Sequence, residues 1–318
     1  MYRSVQIKLN DMNKSILITG ANGGLGKDTA RQLALINETE KIYLACRNEA
    51  KAKVAKADLE KTTGRSIFEI VLVDVSKPES VKKAVASLSE PVDALVMNAG
   101  GMGGKTPFEI TADGTTQMFA TNLLGHVVLV DELLKSNKLK KVALYAGSEA
   151  ARGIKSMGMK APSLKSYSTD EFSSIIDGSY FNGKPDPMES YGLTKYMAAL
   201  WMSAQAKKNS GIRFITMSPG ATSGTAVMDD MTGIQKVMFK YIMMPIVMPL
   251  TGMVHGLATG AKRFVDGIKD TSLTNGAFYA SKSNKPTGPT SNQNAFLSDF
   301  DNVEYQNNVD KAIHRFIK

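Results

Sequence analysis

Short, almost wholly apolar runs alternate with longer amphipathic stretches along most of the chain. Ser15–Thr19 (SILIT), Lys41–Cys46 (KIYLAC), 67–73, 93–97 (DALVM), 141–146 (KVALYA), Arg213–Met217 (RFITM) and 277–280 have the length and apolar content of strands buried on both faces. Helical periodicity occupies 25–35, 78–88 and a long stretch from about 112 to 135. Another helix should start at Glu49, with Asn48 as its cap and Gly64 as its end. This alternation predicts an α/β fold: a doubly wound parallel sheet of about seven strands, covered by helices on both sides. No linker or internal repeat divides the chain, so 1–318 reads as one domain.

Two stretches break the alternation. Residues 152–188, rich in Ser, Lys, Gly and Pro, read as a long insert. Residues 224–252 carry Met228, Met231, Met238, Met243, Met244 and Met248. Methionine adapts to varied apolar shapes. This segment is therefore either a pair of core helices or a cover over an apolar substrate pocket. After about residue 283 the pattern offers only a short closing helix at 310–317.

Composition narrows the function. Hydrophobic residues make up 43% and charged residues 22%, which excludes a disordered chain. The one cysteine, Cys46, excludes an intrachain disulfide and a multi-cysteine zinc site, and the three histidines have no metal-ligand spacing. Net charge is +9, but the excess is dispersed lysine with no run of five. That pattern points away from nucleic acid and leaves a mild bias toward anionic ligands. The N-terminus has no secretory-signal pattern, and the longest apolar run, 242–250, holds nine residues and two prolines. A bilayer span needs about 20. A cytoplasmic protein is expected, with at most transient membrane-surface association.

Candidate chemistry begins at Thr19-Gly20-Ala21-Asn22-Gly23-Gly24-Leu25-Gly26, between the first strand and the first helix. Small residues there let the backbone turn tightly and approach a pyrophosphate at a helix N-terminus. The second strand ends in Arg47 rather than an acidic residue. A guanidinium suits a 2′-phosphate, so the expected cofactor is NADP(H). Asp74-Val75 and Asn98-Ala99-Gly100 follow the third and fourth strands, at the edge where open α/β sheets bind ligands. Asp74 could accept from an adenine amino group or cap the helix near Pro78.

Tyr191 and Lys195, four apart, share a helix face. An ammonium beside a phenol favours the tyrosinate and suits the phenol to proton transfer with a carbonyl oxygen. Ser148 could hold that oxygen. Asn122 could hold a backbone distortion or a water near the lysine.

Taken together and in this order, these motifs resemble the short-chain dehydrogenase/reductase family, with a Rossmann-type fold, from Ser15 to about Tyr279. Tyr43–Arg47 and the segment around Asn122–His126 look like its retinol dehydrogenase branch, and a long spacer between the serine and the tyrosine occurs in both that branch and the carbonyl reductase branch. The resemblance implies Tyr191 as general acid-base, Ser148 orienting the substrate, Lys195 on the nicotinamide ribose, and Asn122 supporting a proton relay. It also implies Pro219-Gly220 against the nicotinamide, with Thr222 or Thr225 on its carboxamide. The expected activity is hydride transfer to or from a carbonyl or alcohol of an apolar small molecule. An NADP(H)-binding sensor without turnover is the alternative. Forty-two residues separate Ser148 from Tyr191, more than in most of the family. The insert should cover the family's dimer surface, favouring a monomer. Its Tyr167, Phe172 and Tyr180 are either substrate walls or the insert's own core.

Overall fold

The structure is a computed structural model that describes residues 13–155, 159–223 and 253–317. Eight strands form one sheet in the order β3-β2-β1-β4-β5-β6-β7-β8. They are β1 Ser15–Thr19, β2 Lys41–Cys46, β3 Phe68–Leu72, β4 Val92–Met97, β5 Leu139–Ala146, β6 Arg213–Met217, β7 Phe278–Ser281 and β8 Thr290–Asn292. The first seven run parallel, and β8 pairs antiparallel with β7. The seven expected strands are all present. The eighth, Thr-Ser-Asn, is too short and polar to leave an apolar signature.

Strand periodicity sorts the core into two layers. Leu17, Tyr43, Leu95 and Tyr145 face one layer, with Leu123, Val127 and Trp201. Ile16, Ile18, Leu44 and Val96 face the other, with Phe264 and Ile268. Helices α1 Gly24–Ala34, α2 Glu49–Thr63 and α3 Pro78–Ser87 lie close to their expected bounds. Asn48 accepts from the Lys51 amide at the start of α2, and Gly64 ends it in the left-handed region.

The long helix expected from about 112 begins later. Residues 111–116 form a tight turn, with the Thr111 amide on the Thr115 carbonyl and Gly114 at φ +81°. One α-helical turn, Gln117–Phe119, then passes into a π-helical turn, Ala120–Leu124, before α4, Gly125–Lys135. That π turn carries Asn122 and is the backbone distortion that is one of the two readings of that residue, although no apolar periodicity marks it. Gly125 lies directly on the Val75 backbone: a Cβ there would sit 1.6 Å from the Val75 carbonyl oxygen.

The insert holds α5, Thr169–Asp177, and leads into α6, Pro187–Lys208. Every residue from Gly192 to Ala206 is buried, so the middle of α6 has no solvent face. Helix α7, Leu257–Lys269, covers the opposite face of the sheet. The closing helix α8, Val303–His314, starts earlier than expected because Asn302 caps it. It packs on α5 and α6. Phe172 is fully buried, Tyr167 stacks on Tyr305 of α8 at 4.1 Å, and Tyr180 meets Phe181 edge-on. The insert's aromatics therefore belong to a core shared with the C-terminal helix. The methionine-rich segment 224–252 and Thr225 lie outside the described residues. Among the described residues, no helix is long and apolar enough to cross a membrane, and no group of His, Cys, Asp or Glu is arranged to hold a metal ion.

Candidate active site

Strand order reverses between β1 and β4, so their carboxyl ends open a crevice at the sheet edge. The loop after β1 borders it. Gly20 turns there at φ +67°, its amide donating to the Ala45 carbonyl. A Cβ on Gly26 would meet the Gly20 oxygen at 2.5 Å and Asn98 Nδ2 at 2.6 Å, so only glycine lets α1 approach this closely. The Ala21 and Asn22 amides donate to the Cys46 thiol, whose pKa burial pushes up to about 11. Cys46 is thus a buried prop beneath the loop. Gly23 caps α1 without a side-chain hydrogen bond, while Asn48, Ser168, Asp186 and Asn302 supply one to α2, α5, α6 and α8. Lys77 and Gly256 likewise give α3 and α7 no side-chain cap, but only the α1 amides open onto the glycine loop at the crevice. Leu25 packs its side chain onto the core layer beside β1.

Arg47 is exposed just past the end of β2. Asp74 Oδ1 accepts from the Ser76 amide (3.1 Å) and hydroxyl (2.7 Å), forming a local turn. The residue capping α3 is Lys77, so Asp74 does not supply the cap. Val75 is buried against Gly125. Asn98 ties β4 to β1, its side chain donating to the Thr19 carbonyl at 2.9 Å. The amides of Asn98 and Ala99 both donate to Thr19 Oγ1 at 2.9 Å. Gly100 and Gly101 continue this edge. The Asn122 side chain clamps Gly101 with two hydrogen bonds, accepting from its amide at 3.0 Å and donating to its carbonyl at 2.8 Å.

Ser148 follows β5 and caps the short turn Glu149–Ala151. Helix α6 packs on that turn and brings Tyr191 to Ser148. Both keep partial exposure, whereas Asn122 and Lys195 are buried. Burial pushes the Tyr191 phenol up to about 12; the Ser148 hydroxyl opposes this rise and the Glu149 charge adds to it. Burial also pushes Lys195 down to about 7. Its Nζ lies 5.5 Å from the Tyr191 ring centre but donates to the Ala146 carbonyl (2.8 Å) and the Tyr145 hydroxyl (3.2 Å).

Pro219 and Gly220 sit in a loop after β6 held by three groups that sequence reasoning missed. Glu149 accepts from the Ser218 hydroxyl at 2.5 Å, and Ser218 Oγ accepts from the Gly220 amide at 3.0 Å. Arg263 of α7 donates to the Ser218 carbonyl at 3.1 Å. His255 Nε2 donates to the Pro219 carbonyl at 2.7 Å. The Thr222 hydroxyl turns back toward the Gly220 carbonyl at 3.0 Å and toward His255. Tyr145 and His126 were likewise unexpected. All five sit in strands, turns or helices with nothing local to mark them.

A doubly wound sheet with a glycine loop at its switch point and a Ser-Tyr-Lys cluster at the same edge defines a dinucleotide-binding class of protein. The family model for short chain dehydrogenase matches residues 14–143. Dehydrogenase/reductase SDR family member 12 of Bos taurus is 28% identical over 226 residues, 69% of this chain and 64% of its own. Retinol dehydrogenase 11 of Homo sapiens is 35% identical over 133 residues, 41% of this chain and 40% of its own. The chain thus spans less than two thirds of the length of these curated relatives. NADPH-bound carbonyl reductase from chicken fatty liver superposes with a TM-score of 0.55 at 18% identity, covering 83% of this chain and 90% of its own. L-sorbose reductase from Gluconobacter frateurii, complexed with NADPH and L-sorbose, gives 0.61 at 18% identity, covering 89% and 100%. The chain is similar to short chain dehydrogenases over residues 14–143, and to SDR family members and retinol dehydrogenases over part of their length.

Proposed function

We propose that this protein is an NADP(H)-dependent oxidoreductase acting on a carbonyl or alcohol group of an apolar small molecule. The observation that carries the reading is the convergence of Ser148, Tyr191 and Lys195 beside the glycine loop at one sheet edge. The cradle suits the cofactor: the α1 amides lack a side-chain cap, the loop approaches closely through Gly20 and Gly26, and Arg47 stands exposed for a 2′-phosphate. Asn22, Gly23, Gly24 and Leu25 would border the pyrophosphate. Asp74 and Val75 would border the adenine, and Asn98, Ala99 and Gly100 the ribose. Pro219, Gly220 and Thr222 would border the nicotinamide, with Thr225 as the other threonine candidate.

The bound cofactor supplies or accepts the hydride. Ser148 donates a hydrogen bond to the substrate oxygen. In reduction Tyr191 gives its proton to that oxygen as the alcohol forms, and in oxidation it takes the proton back. Its raised pKa keeps the proton on the phenol until such an oxygen arrives. Lys195 as ammonium stabilises the phenolate left behind. Asn122 holds the Gly101 loop and the lysine's surroundings in register. A chain of 318 residues acting as one catalytic domain and as a monomer fits the wholly buried middle of α6, which offers no face to a second copy.

The test follows NADPH and NADH oxidation by absorbance against apolar aldehydes, ketones and quinones, with Tyr191→Phe alongside. Turnover preferring NADPH should fall by about 10²–10⁴-fold in the variant while cofactor binding persists. Tight NADPH binding with no turnover on any class of carbonyl would favour a cofactor sensor instead.

A further inference from the structure

Lys195 has two hydrogen-bond partners among the described residues, and only one is a side chain. The Ala146 carbonyl accepts at 2.8 Å, and the Tyr145 hydroxyl accepts at 3.2 Å. The phenol is not free to turn away. It donates its own proton to the Asn122 carbonyl at 2.7 Å. That carbonyl belongs to the π turn and also accepts from His126 Nδ1 at 3.0 Å. The His126 tautomer follows from its neighbours. Thr19 Oγ1 already accepts the Asn98 and Ala99 amides, so its proton goes to His126 Nε2 at 3.0 Å. Nδ1 then carries the ring proton, and burial keeps the ring neutral, with a pKa down at about 4. With its proton spent on Asn122, Tyr145 presents only lone pairs to the lysine, and its ring centre lies 4.6 Å from Nζ.

We propose that Tyr145 is a positioning residue for Lys195: its hydroxyl, anchored on the Asn122 carbonyl, is a fixed acceptor that holds the lysine as an ammonium in place behind Tyr191. The catalytic consequence rests on the oxidoreductase reading above; the link between the two side chains does not. Two other groups at the site bear on the lysine's charge. Tyr191 shares its helix with a ring centre 5.5 Å away. Neutral His126 stands on α4 with its ring edge-on to Tyr145 at 5.9 Å. Glu149 acts on Tyr191 and pairs with Arg263, not with Lys195. No carboxylate among the described residues forms an ion pair with Lys195. The Tyr145 hydroxyl is thus the one side-chain acceptor that, beside the Ala146 carbonyl, supports its charge against burial.

The experiment uses full-length protein labelled with ¹³Cε-lysine, the Lys195 resonance being assigned by its loss in Lys195→Arg. Its chemical shift is followed against pH in wild type and in Tyr145→Phe. The variant keeps the ring and loses the acceptor, so the Lys195 midpoint should drop by about one pH unit. The kcat for alcohol oxidation at neutral pH should fall about tenfold with it. A midpoint unchanged in a folded Tyr145→Phe overturns the proposal. If that variant does not fold, 3-fluorotyrosine at position 145 keeps the shape and weakens the acceptor. A smaller downward shift supports the proposal, and an unchanged midpoint overturns it. The NMR midpoint needs neither cofactor nor substrate. A shift with no turnover in either protein would therefore leave this link standing while the proposed activity failed.

Discussion

Glu149 and Arg263 face each other across 3.7 Å of buried space behind Ser148, joining the turn after β5 to helix α7. Both also hold the Pro219-Gly220 loop through Ser218, and both reach Ser281 at the end of β7. Removing one partner strands the other charge, at a cost of about 3–5 kcal/mol. Arg263→Met should therefore lower the urea midpoint sharply and raise the KM for NADPH as the loop loosens. Glu149→Gln should do the same more mildly, since a glutamine oxygen can still accept from the Ser281 amide. In a double-mutant cycle the combined loss should fall short of the sum by about 1 kcal/mol or more. Strict additivity would mean that the two side chains act separately.

Gly125 is a sharper test of packing. A Cβ there meets backbone, the Val75 carbonyl, and no rotamer change can relieve the clash. Gly125→Ala should cost about 3 kcal/mol or more, the upper end of overpacking losses. Gly211→Ala, in an exposed loop with nothing near its Cβ, is the control and should leave stability nearly unchanged. Equal thermal midpoints for the two variants would contradict the close approach of α4 to the end of β3.

What could be read in advance divides along physical lines. Strands β1, β2 and β4 to β7 are largely buried, and the edge strand β3 keeps an apolar run although Glu69 and Leu72 are exposed, so apolar runs betray all seven; Asn48 and Gly64 mark the ends of α2 by local chemistry alone. Helical spacing predicts that Tyr191 and Lys195 share a face, and the structure puts them together; what singled the pair out was the whole ordered set of motifs. Tyr145, Glu149 and Arg263 were not legible, because their roles come from partners far along the chain. Charged residues in sequence look solvated until the fold buries them. The π turn at Asn122 and the three polar residues of β8 carry no periodicity at all. The α5–α8 contact around Tyr167 and Tyr305 needed the insert and the tail to be seen together.

Arg47 tests the cofactor reading. It stands exposed at the end of β2, and Glu49 nearby is engaged with Lys53. A guanidinium on a 2′-phosphate in such an exposed place contributes about 1–2 kcal/mol. Arg47→Ala should raise the KM for NADPH about tenfold and leave that for NADH nearly unchanged. Arg47→Asp should go further and invert the preference, because a carboxylate repels the phosphate and accepts from a ribose hydroxyl. An unchanged NADPH to NADH ratio in both variants would remove Arg47 from the cofactor site.

The C-terminal helix supplies a prediction in pH. His314 on α8 reaches Asp131 of α4 at 3.1 Å, while its Nδ1 donates to the Asp310 carbonyl at 2.7 Å. The hydrogen bond to Asp131 leads the causes that push its pKa up to about 9 against burial. The folded value lies above the unfolded 6.5, so the folded state binds the extra proton between them. This contribution is complete below about pH 6.5 and is lost as pH rises through 9. Lys195, lowered to about 7, acts in the opposite sense, because the unfolded chain binds its proton more readily between 7 and 10.5. Total stability therefore mixes the two, and the informative quantity is the difference from His314→Gln. The urea-midpoint gap between wild type and variant should be widest near pH 6 and close by about pH 9.5. A gap that stayed constant across that range would show that the histidine's contribution is packing of α8 against α4 rather than its charge.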